Sequence, residues 1–365
     1  MQKKIIFCAV TALMLAACSS EEAAEVNLGD AISFRPLVNG QTRAIDVNTA
    51  NLEEFNVTAI NATTGNAYFK GVTFAKQNDG TFQSGKRYYW PSVDALDFFA
   101  YAPLQSSQVV YPSNSDYKTF IVTPSTTLAE QVDLVYANTN GKTKAANASG
   151  VALNFRHTGS KIAVKVKNTS ADLTVHVYGW KIGYVSASGT FTYADANTDG
   201  QDLAFLSPAQ WSNLSAPNVG VQYVSNLPLN DDVNPLTAAI DLPGTMILVP
   251  QQLTAATGYT STTAANGAYI AVKMTIKQNN TLIASDSNGN PIWGIWPIST
   301  KWEPGKKYTY IIDVADGGYY ENDEDPVVPT PNPNPLDPIL DKFIKFVDVT
   351  VDDWTSNTDI NVPEI

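Results

Sequence analysis

The 365-residue sequence carries only two Cys and two His, the residue types that supply most nucleophiles, general bases and transition-metal ligands. One of them sits where chemistry is expected. Cys18 closes the run Leu15-Ala16-Ala17-Cys18, behind an apolar stretch over residues 5–15 that follows Lys3 and Lys4. A positive start, an apolar segment too short to span a bilayer and a small-residue end make an export signal. A cysteine at that point reads as a bacterial lipobox: cleavage just before Cys18 makes it the new N-terminus, and its sulfur takes a palmitate-class acyl chain. A plain signal peptide with an incidental cysteine is the alternative. On the lipobox reading Cys8 leaves with the signal and Cys18 carries lipid, so stability rests on packing with no disulfide.

The remaining candidates are weak. His157 lies between Arg156 and Thr158-Gly159 with no Ser or Asp pattern around it, and a turn-stabilising role suits it better than catalysis. His176 alternates with Val175 and Val177 and should face solvent. Residues 195–202 (DANTDGQD) match the first half of a calcium loop, but the twelfth position is Leu206, where a bidentate Glu is needed, and no long helices flank it. A polar hairpin loop is the plainer reading. Tyr88, Tyr89, Trp90, Phe98, Phe99 and Tyr101 would serve as a sugar platform, yet aromatics alternating in a β-rich chain more often build core. The sequence therefore predicts no enzyme, no metal and no cofactor beyond the lipid on Cys18.

Composition agrees. Charged residues make up 16% of the chain, against about 25% in ordinary globular proteins, while the 44% hydrophobic share is enough to bury a core. The net charge is −12, becoming −14 (21 basic against 35 acidic side chains) once Lys3 and Lys4 leave with the signal. A basic footprint for nucleic acid is absent.

The elements that must position any site are strands. After Cys18, residues 19–25 (SSEEAAE) are polar and acidic and read as a flexible tether. Ile32, Phe34 and Val38 then alternate with Ser33, Arg35 and Leu37, with Pro36 interrupting, which predicts an edge strand. Further strands are expected at 54–60, 67–74, 82–90, 96–101, 119–123 and 132–137. Residues 138–150 hold no large apolar side chain and are the expected domain boundary. Beyond them Ile162, Val164 and Val166 alternate with lysines that should point outward. Strands follow at 174–180, 189–193, 245–249, 269–277, 291–297 and 308–314. Short, closely spaced strands without a long amphipathic helix predict an all-β chain of antiparallel sandwiches. Residues 316–325 are acidic and 326–338 proline-rich, a semi-rigid spacer. A strand-like tail comes last, with Phe343, Phe346, Val347, Val349, Val351 and Trp354. Exposed, such a strand invites aggregation, so it needs a groove on its own domain or on another molecule.

The run of Tyr88-Tyr89-Trp90-Pro91, Asp97-Phe98-Phe99-Ala100-Tyr101-Ala102-Pro103, Asn154-Phe155-Arg156-His157, Val249-Pro250-Gln251, residues 302–310 (WEPGKKYTY) and residues 349–354 (VTVDDW) resembles the fimbrillin-like lipoproteins of Bacteroidetes. The resemblance runs from the lipobox to the tail. It implies two tandem transthyretin-like β-sandwich domains in a subunit of a surface fimbria, the type V pilus, supporting cell adhesion. The acidic tether resembles the family's surface-export signal.

The expected layout is a signal over 1–17, a tether over 18–30, sandwiches over 31–145 and 146–318, a spacer over 319–338 and a donor strand over 339–365. By the family's assembly logic, a precursor lipid-anchored to the outer membrane is cut after an Arg by a trypsin-like protease. Arg43-Ala44 matches that position, whereas Pro36 blocks Arg35; a solvated loop arginine is the alternative reading of Arg43. Cleavage removes residues 31–43 with the strand bearing Ile32, Phe34 and Val38. The opened groove then accepts the tail of another subunit, homotypic or heterotypic, by strand addition. About five apolar side chains at about 1.5–3 kcal/mol each would gain on the order of ten kcal/mol before entropy costs. One groove and one tail at different places give contacts that do not close, and such contacts build filaments. The competing expectation is a monomeric, lipid-anchored module that binds glycan or host protein, with its tail folded onto its own sheet.

Overall fold

The computed structural model describes residues 31–38, 51–113, 116–194, 197–198, 210–217, 222–256, 267–286, 288–316, 319–320 and 348–354. The first part of the chain forms β1 (Phe34–Val38), β2 (Glu54–Asn61), β3 (Ala67–Lys76), β4 (Phe82–Gln83), β5 (Leu96–Ala102), β6 (Val109–Val110), β7 (Thr119–Val122), β8 (Val135–Lys142) and β9 (Val151–His157). The second forms β10 (Ser160–Asn168), β11 (Leu173–Gly183), β12 (Gly189–Thr192), β13 (Trp211–Ser212), β14 (Gln222–Ser225), β15 (Thr237–Asp241), β16 (Met246–Leu248), β17 (Tyr269–Gln278), β18 (Thr281–Ala284), β19 (Ile292–Pro297), β20 (Lys306–Asp313), β21 (Tyr319–Tyr320) and β22 (Asp348–Asp353). Among the described residues there is no α-helix, so the all-β expectation holds.

Four sheets result. A seven-stranded sheet runs β1-β9-β8-β5-β2-β3-β4, and a four-stranded one runs β13-β12-β7-β6. A five-stranded sheet runs β15-β10-β20-β22 with β16 also on β10, and a six-stranded one runs β14-β11-β17-β19-β21 with β18 on β17. Most ladders are antiparallel; β1 with β9 and β10 with β20 run parallel.

Alternation sorts the side chains into cores. On β2, Phe55, Val57 and Ala59 join Phe34, Phe74, Phe98 and Phe155 on one face of the seven-stranded sheet. Ile60 and Phe99 leave on the opposite face, to meet Phe120, Phe191 and Trp211 of the four-stranded sheet. The second sandwich encloses Ile162, Val164, Trp180, Val272, Trp302 and Tyr310 between its two sheets.

The stretch 138–150, expected as a boundary, does not end the first sheet. It contains the end of β8 and leads into β9, and β12 crosses back to pair with β7. The reason is polar rather than apolar burial: Asn138 is fully buried, with its Nδ2 donating to the Ala194 carbonyl at 3.0 Å and its backbone N–H to Thr198 Oγ1 at 3.2 Å. The strand expected over 82–90 stops at Gln83, because the chain turns where Ser84 Oγ donates to the Lys86 carbonyl. Lys161, expected in solvent, is buried.

Buried tyrosines tie this packing to pH. Burial pushes the Tyr223 and Tyr310 hydroxyls up to about 12, and Tyr193, wholly enclosed beside Tyr101 and Tyr136, stands well above the ordinary 10. Each folded-state value exceeds its unfolded one, so above about pH 10 the unfolded chain sheds tyrosyl protons that the folded chain keeps. Stability is whole below about pH 10 and falls as pH rises through the folded-state values near 12. Circular dichroism and tyrosinate absorbance should therefore change together in one cooperative alkaline transition; tyrosines ionising in an intact fold would contradict this.

Candidate functional site

The first described strand buries one face and turns the other outward. Ile32, Phe34 and Val38 are buried, whereas Arg35 and Leu37 point outward. Pro36, lacking an N–H, is tolerated because β1 lies at the sheet edge. Its five residues pair in parallel with β9, from Phe34 opposite Val151 to Val38 opposite Phe155. The Ile32 N–H donates to the Tyr88 carbonyl at 2.7 Å, and the Val151 N–H to the Ser33 carbonyl at 2.8 Å. Close approach is possible because Gly150 stands at φ +98°, where a Cβ would lie 3.0 Å from Ser33 Oγ. The Arg35 Nε donates to the Gly150 carbonyl at 3.2 Å, fastening the same corner.

Phe34 is the main anchor. Its ring stands edge-on to Phe74, Phe98 and Phe55, with centroids 4.8, 5.2 and 6.2 Å away. Three buried apolar side chains, Phe34 and Val38 on β1 and Ile32 just before it, at about 1.5–3 kcal/mol each, amount to roughly 5–9 kcal/mol of burial. Without β1, an aromatic groove would lie open along β9. The backbone edge of β9 that pairs with β1 would be exposed as well, because β8 lies along the opposite edge.

The terminal strand sits elsewhere. β22 adds antiparallel to β20, from Lys306 opposite Asp353 to Ile311 opposite Asp348, at the edge of the five-stranded sheet. Val349 packs partly against the second core, but Val351 remains 39% exposed. Asp348 faces Lys167 at 3.5 Å and Asp353 pairs with Lys306; such exposed pairs add little. The firm contact is Trp354, 4% exposed, whose N–H donates to the Gly305 carbonyl at 2.8 Å. Its indole stacks on His157 with centroids 3.9 Å apart and planes 10° from parallel, and Lys161 Nζ lies 5.5 Å from the indole.

His157 is no turn residue. Buried at the end of β9, its Nδ1 lies 2.8 Å from an Asp133 oxygen, and Asp133 is itself fully enclosed. A partner 24 positions away leaves no local pattern, so sequence reading missed the pair. The same holds for Phe55 and Phe74, whose rings complete the slot for Phe34. His176 is half-exposed, as alternation implied, and meets Asp232 at 2.6 Å. Tyr88, Trp90 and Phe98 pack in the first core.

Of the sequence-derived site residues, Ile32, Phe34 and Val38 come together on one groove, and Val349, Val351 and Trp354 on one strand. Cys18, Arg43, Ala44, Phe343, Phe346 and Val347 lie outside the described residues, as does most of the loop 195–202. The described residues hold no cluster of His, Cys, Asp or Glu suited to a metal ion, and no helix long and apolar enough to cross a membrane.

Truncating Phe34 to Ala should leave a hole among Phe55, Phe74 and Phe98 and cost about 3–5 kcal/mol in a urea melt. Trp354→Ala should act locally. Amides of β20 and β22 should exchange at least about tenfold faster, while the global midpoint moves by less than about 1 kcal/mol; protection unchanged on both strands would show that Trp354 is not the anchor.

A family model described as fimbrillin-like matches residues 42–354. The fold is similar to the crystal structure of a fimbrial protein from Bacteroides vulgatus, with 14% identity and a TM-score of 0.53, covering 89% of this chain and 100% of that one. A protein described as a candidate cell adhesion protein from Bacteroides ovatus is 15% identical with a TM-score of 0.47, covering 90% of this chain and 99% of that one. No curated protein matches the chain. Identities this low speak for the fold alone, but the family model runs from ahead of β2 through β22, and the chain belongs to the fimbrillin-like family.

Proposed function

We propose that this chain is a structural subunit of a cell-surface fimbria that assembles head to tail by strand exchange. On this reading it is exported as a lipoprotein acylated at Cys18 and held at the outer membrane. A trypsin-like protease then cuts between Arg43 and Ala44, and a second subunit donates its tail, with Phe343, Phe346, Val347, Val349, Val351 and Trp354 as the strand that enters.

The observation that carries the reading is the pairing of β1. Residues 151–155 of β9 have their ladder partner in β1, so its loss would leave a row of unpaired backbone groups beside an aromatic groove. An open edge of that kind is a template for an added strand. Reach supports it too: residues 321–347, at about 3.3 Å per residue, span up to roughly 90 Å when extended, several times the radius of a domain.

One observation favours the second reading, a monomeric surface module. Residues 348–354 are docked on their own sheet through Trp354. In that position Val351 is left 39% exposed, so docking in cis uses only part of the strand's apolar side.

Deleting residues 339–365 should abolish incorporation into fimbriae, scored by electron microscopy and by the high-mass ladder of unheated surface material. Arg43→Ala should block polymerisation and leave full-length lipoprotein on the membrane, with the N-terminus read by mass spectrometry. Normal polymer from the tail deletion would defeat strand exchange and leave the monomeric module standing.

A further inference from the structure

The face of the seven-stranded sheet that meets the four-stranded one carries a cleft lined by neither β1 nor β22. On β2, Asn56 and Thr58 point away from the Phe55–Val57–Ala59 core, and across the ladder they stand opposite Tyr101 and Phe99 of β5. On the other side, the β2–β3 register shifts between Val57↔Val72 and Ala59↔Phe69, so Lys70 and Gly71 bulge out opposite Thr58. Gly71 adopts φ +60°, and its N–H is met by Thr58 Oγ1 at 3.1 Å. A Cβ on Gly71 would lie 3.9 Å from Asn56 Oδ1; the glycine keeps the space over that amide clear. Bulges are used this way to re-aim groups beside binding sites.

At the floor, Asn56 is 9% exposed and its Oδ1 is buried without a hydrogen-bond partner. An unmet buried acceptor costs about 1–3 kcal/mol, and such groups call for an explanation. The Tyr111 hydroxyl is likewise buried and unmet, with its ring 5.3 Å from Tyr101. Phe99 and Tyr117, 5.1 Å apart, form an aromatic wall, and Pro112 and Ser113 close the rim. The cavity measures about 50 Å³. By the same measure one water needs about 10–15 Å³, so the space suits one small polar arm of a ligand and not a whole ring.

We propose that this cleft binds a neutral saccharide, taking a hydroxymethyl or acetamido arm onto Asn56 while the ring's C–H face lies against Tyr101 and Tyr117. The chemistry selects this class. A hydrocarbon would leave Asn56 unmet, and so would an anion, because the orphan atom is an acceptor; among the described residues Lys70 is the one charged side chain lining the cleft. A sugar offers O–H and N–H donors to the orphan oxygen and C–H surface to the aromatic wall at once. Burial raises the Tyr101 hydroxyl above its ordinary range, so it stays a neutral donor at physiological pH. The site is independent of strand exchange and would serve subunit or monomer alike.

The purified chain should be titrated with N-acetylglucosamine, galactose and mannose, followed by saturation-transfer NMR and tyrosine fluorescence. At least one should bind saturably with Kd on the order of millimolar, as suits a single enclosed arm. Asn56→Leu and Tyr117→Ala should each weaken binding about tenfold or more, and Trp293→Ala, on the other sandwich, should bind as the parent does. Tyr117 is only partly buried, so that variant should keep the parent's urea midpoint if Asn56→Leu does not. The proposal falls if none of the three sugars binds saturably, or if binding survives both substitutions. It falls equally if a sugar-soaked crystal shows only water on Asn56 Oδ1.

Discussion

The backbone of residues 151–155 has to be paired, and much of the first sandwich follows from how that is done. A buried N–H or C=O without a partner costs about as much as a lost hydrogen bond. β8 lies along one edge of β9, and the other edge takes its ladder from β1, a short segment near the start of the chain. That pairing brings Phe34 into a slot between Phe74 and Phe98 and sets Gly150 at a corner where only a residue without a Cβ fits. At its other end the same strand delivers His157 to Trp354. One strand is thus the seat of the first described element and the resting place of the last.

No cysteine occurs among the described residues, so these junctions are packing and ladder alone. Aromatic residues carry them: Phe34, Phe55, Phe74 and Phe98 in one core, and Phe120, Tyr136, Phe191 and Tyr193 in the next. Rings bury large area, and edge-on pairs add about 0.5–1.5 kcal/mol each. The four-stranded sheet draws β6 and β7 from the first part of the chain and β12 and β13 from the second. The two halves are therefore interleaved, and a cut at residue 145 would pass through a sheet system.

Where local pattern decides structure, the sequence was readable. Alternation of Ile32, Phe34 and Val38 around Pro36 foretold a buried-face strand at an edge, and Ile162, Val164 and Val166 foretold a core strand. Reading failed where a distant residue decides. Lys161 follows the outward lysine pattern, yet the indole of Trp354 lies over it from nearly two hundred residues away. Asn138 and Thr139 look like loop residues, yet hydrogen bonding to residues 194–198 lets Asn138 enter the core. His157 shows no partner within its own neighbourhood because Asp133 arrives from before β8. The Asn56 cleft was equally hidden: an asparagine in a strand announces nothing until a bulge and a glycine clear the space above it.

The two positions open to the tail can be weighed against each other. A tethered strand sees its own sheet at an effective concentration on the order of millimolar. A strand from another subunit at micromolar concentration must therefore bind about a thousandfold tighter to win, or roughly 4 kcal/mol. In cis the described tail buries Trp354 and part of Val349 while Val351 stays exposed. The slot held by β1 has three apolar seats, those of Ile32, Phe34 and Val38. The slot offers one to two seats more than the cis position, worth about 1.5–6 kcal/mol, a range that includes the deficit. On the proposed reading, exchange would be favourable only where β1 has gone. While β1 remains, the cis position is the better one, and it covers the strand edge that would otherwise invite aggregation. Loss of β1 would set both the place and the moment of joining.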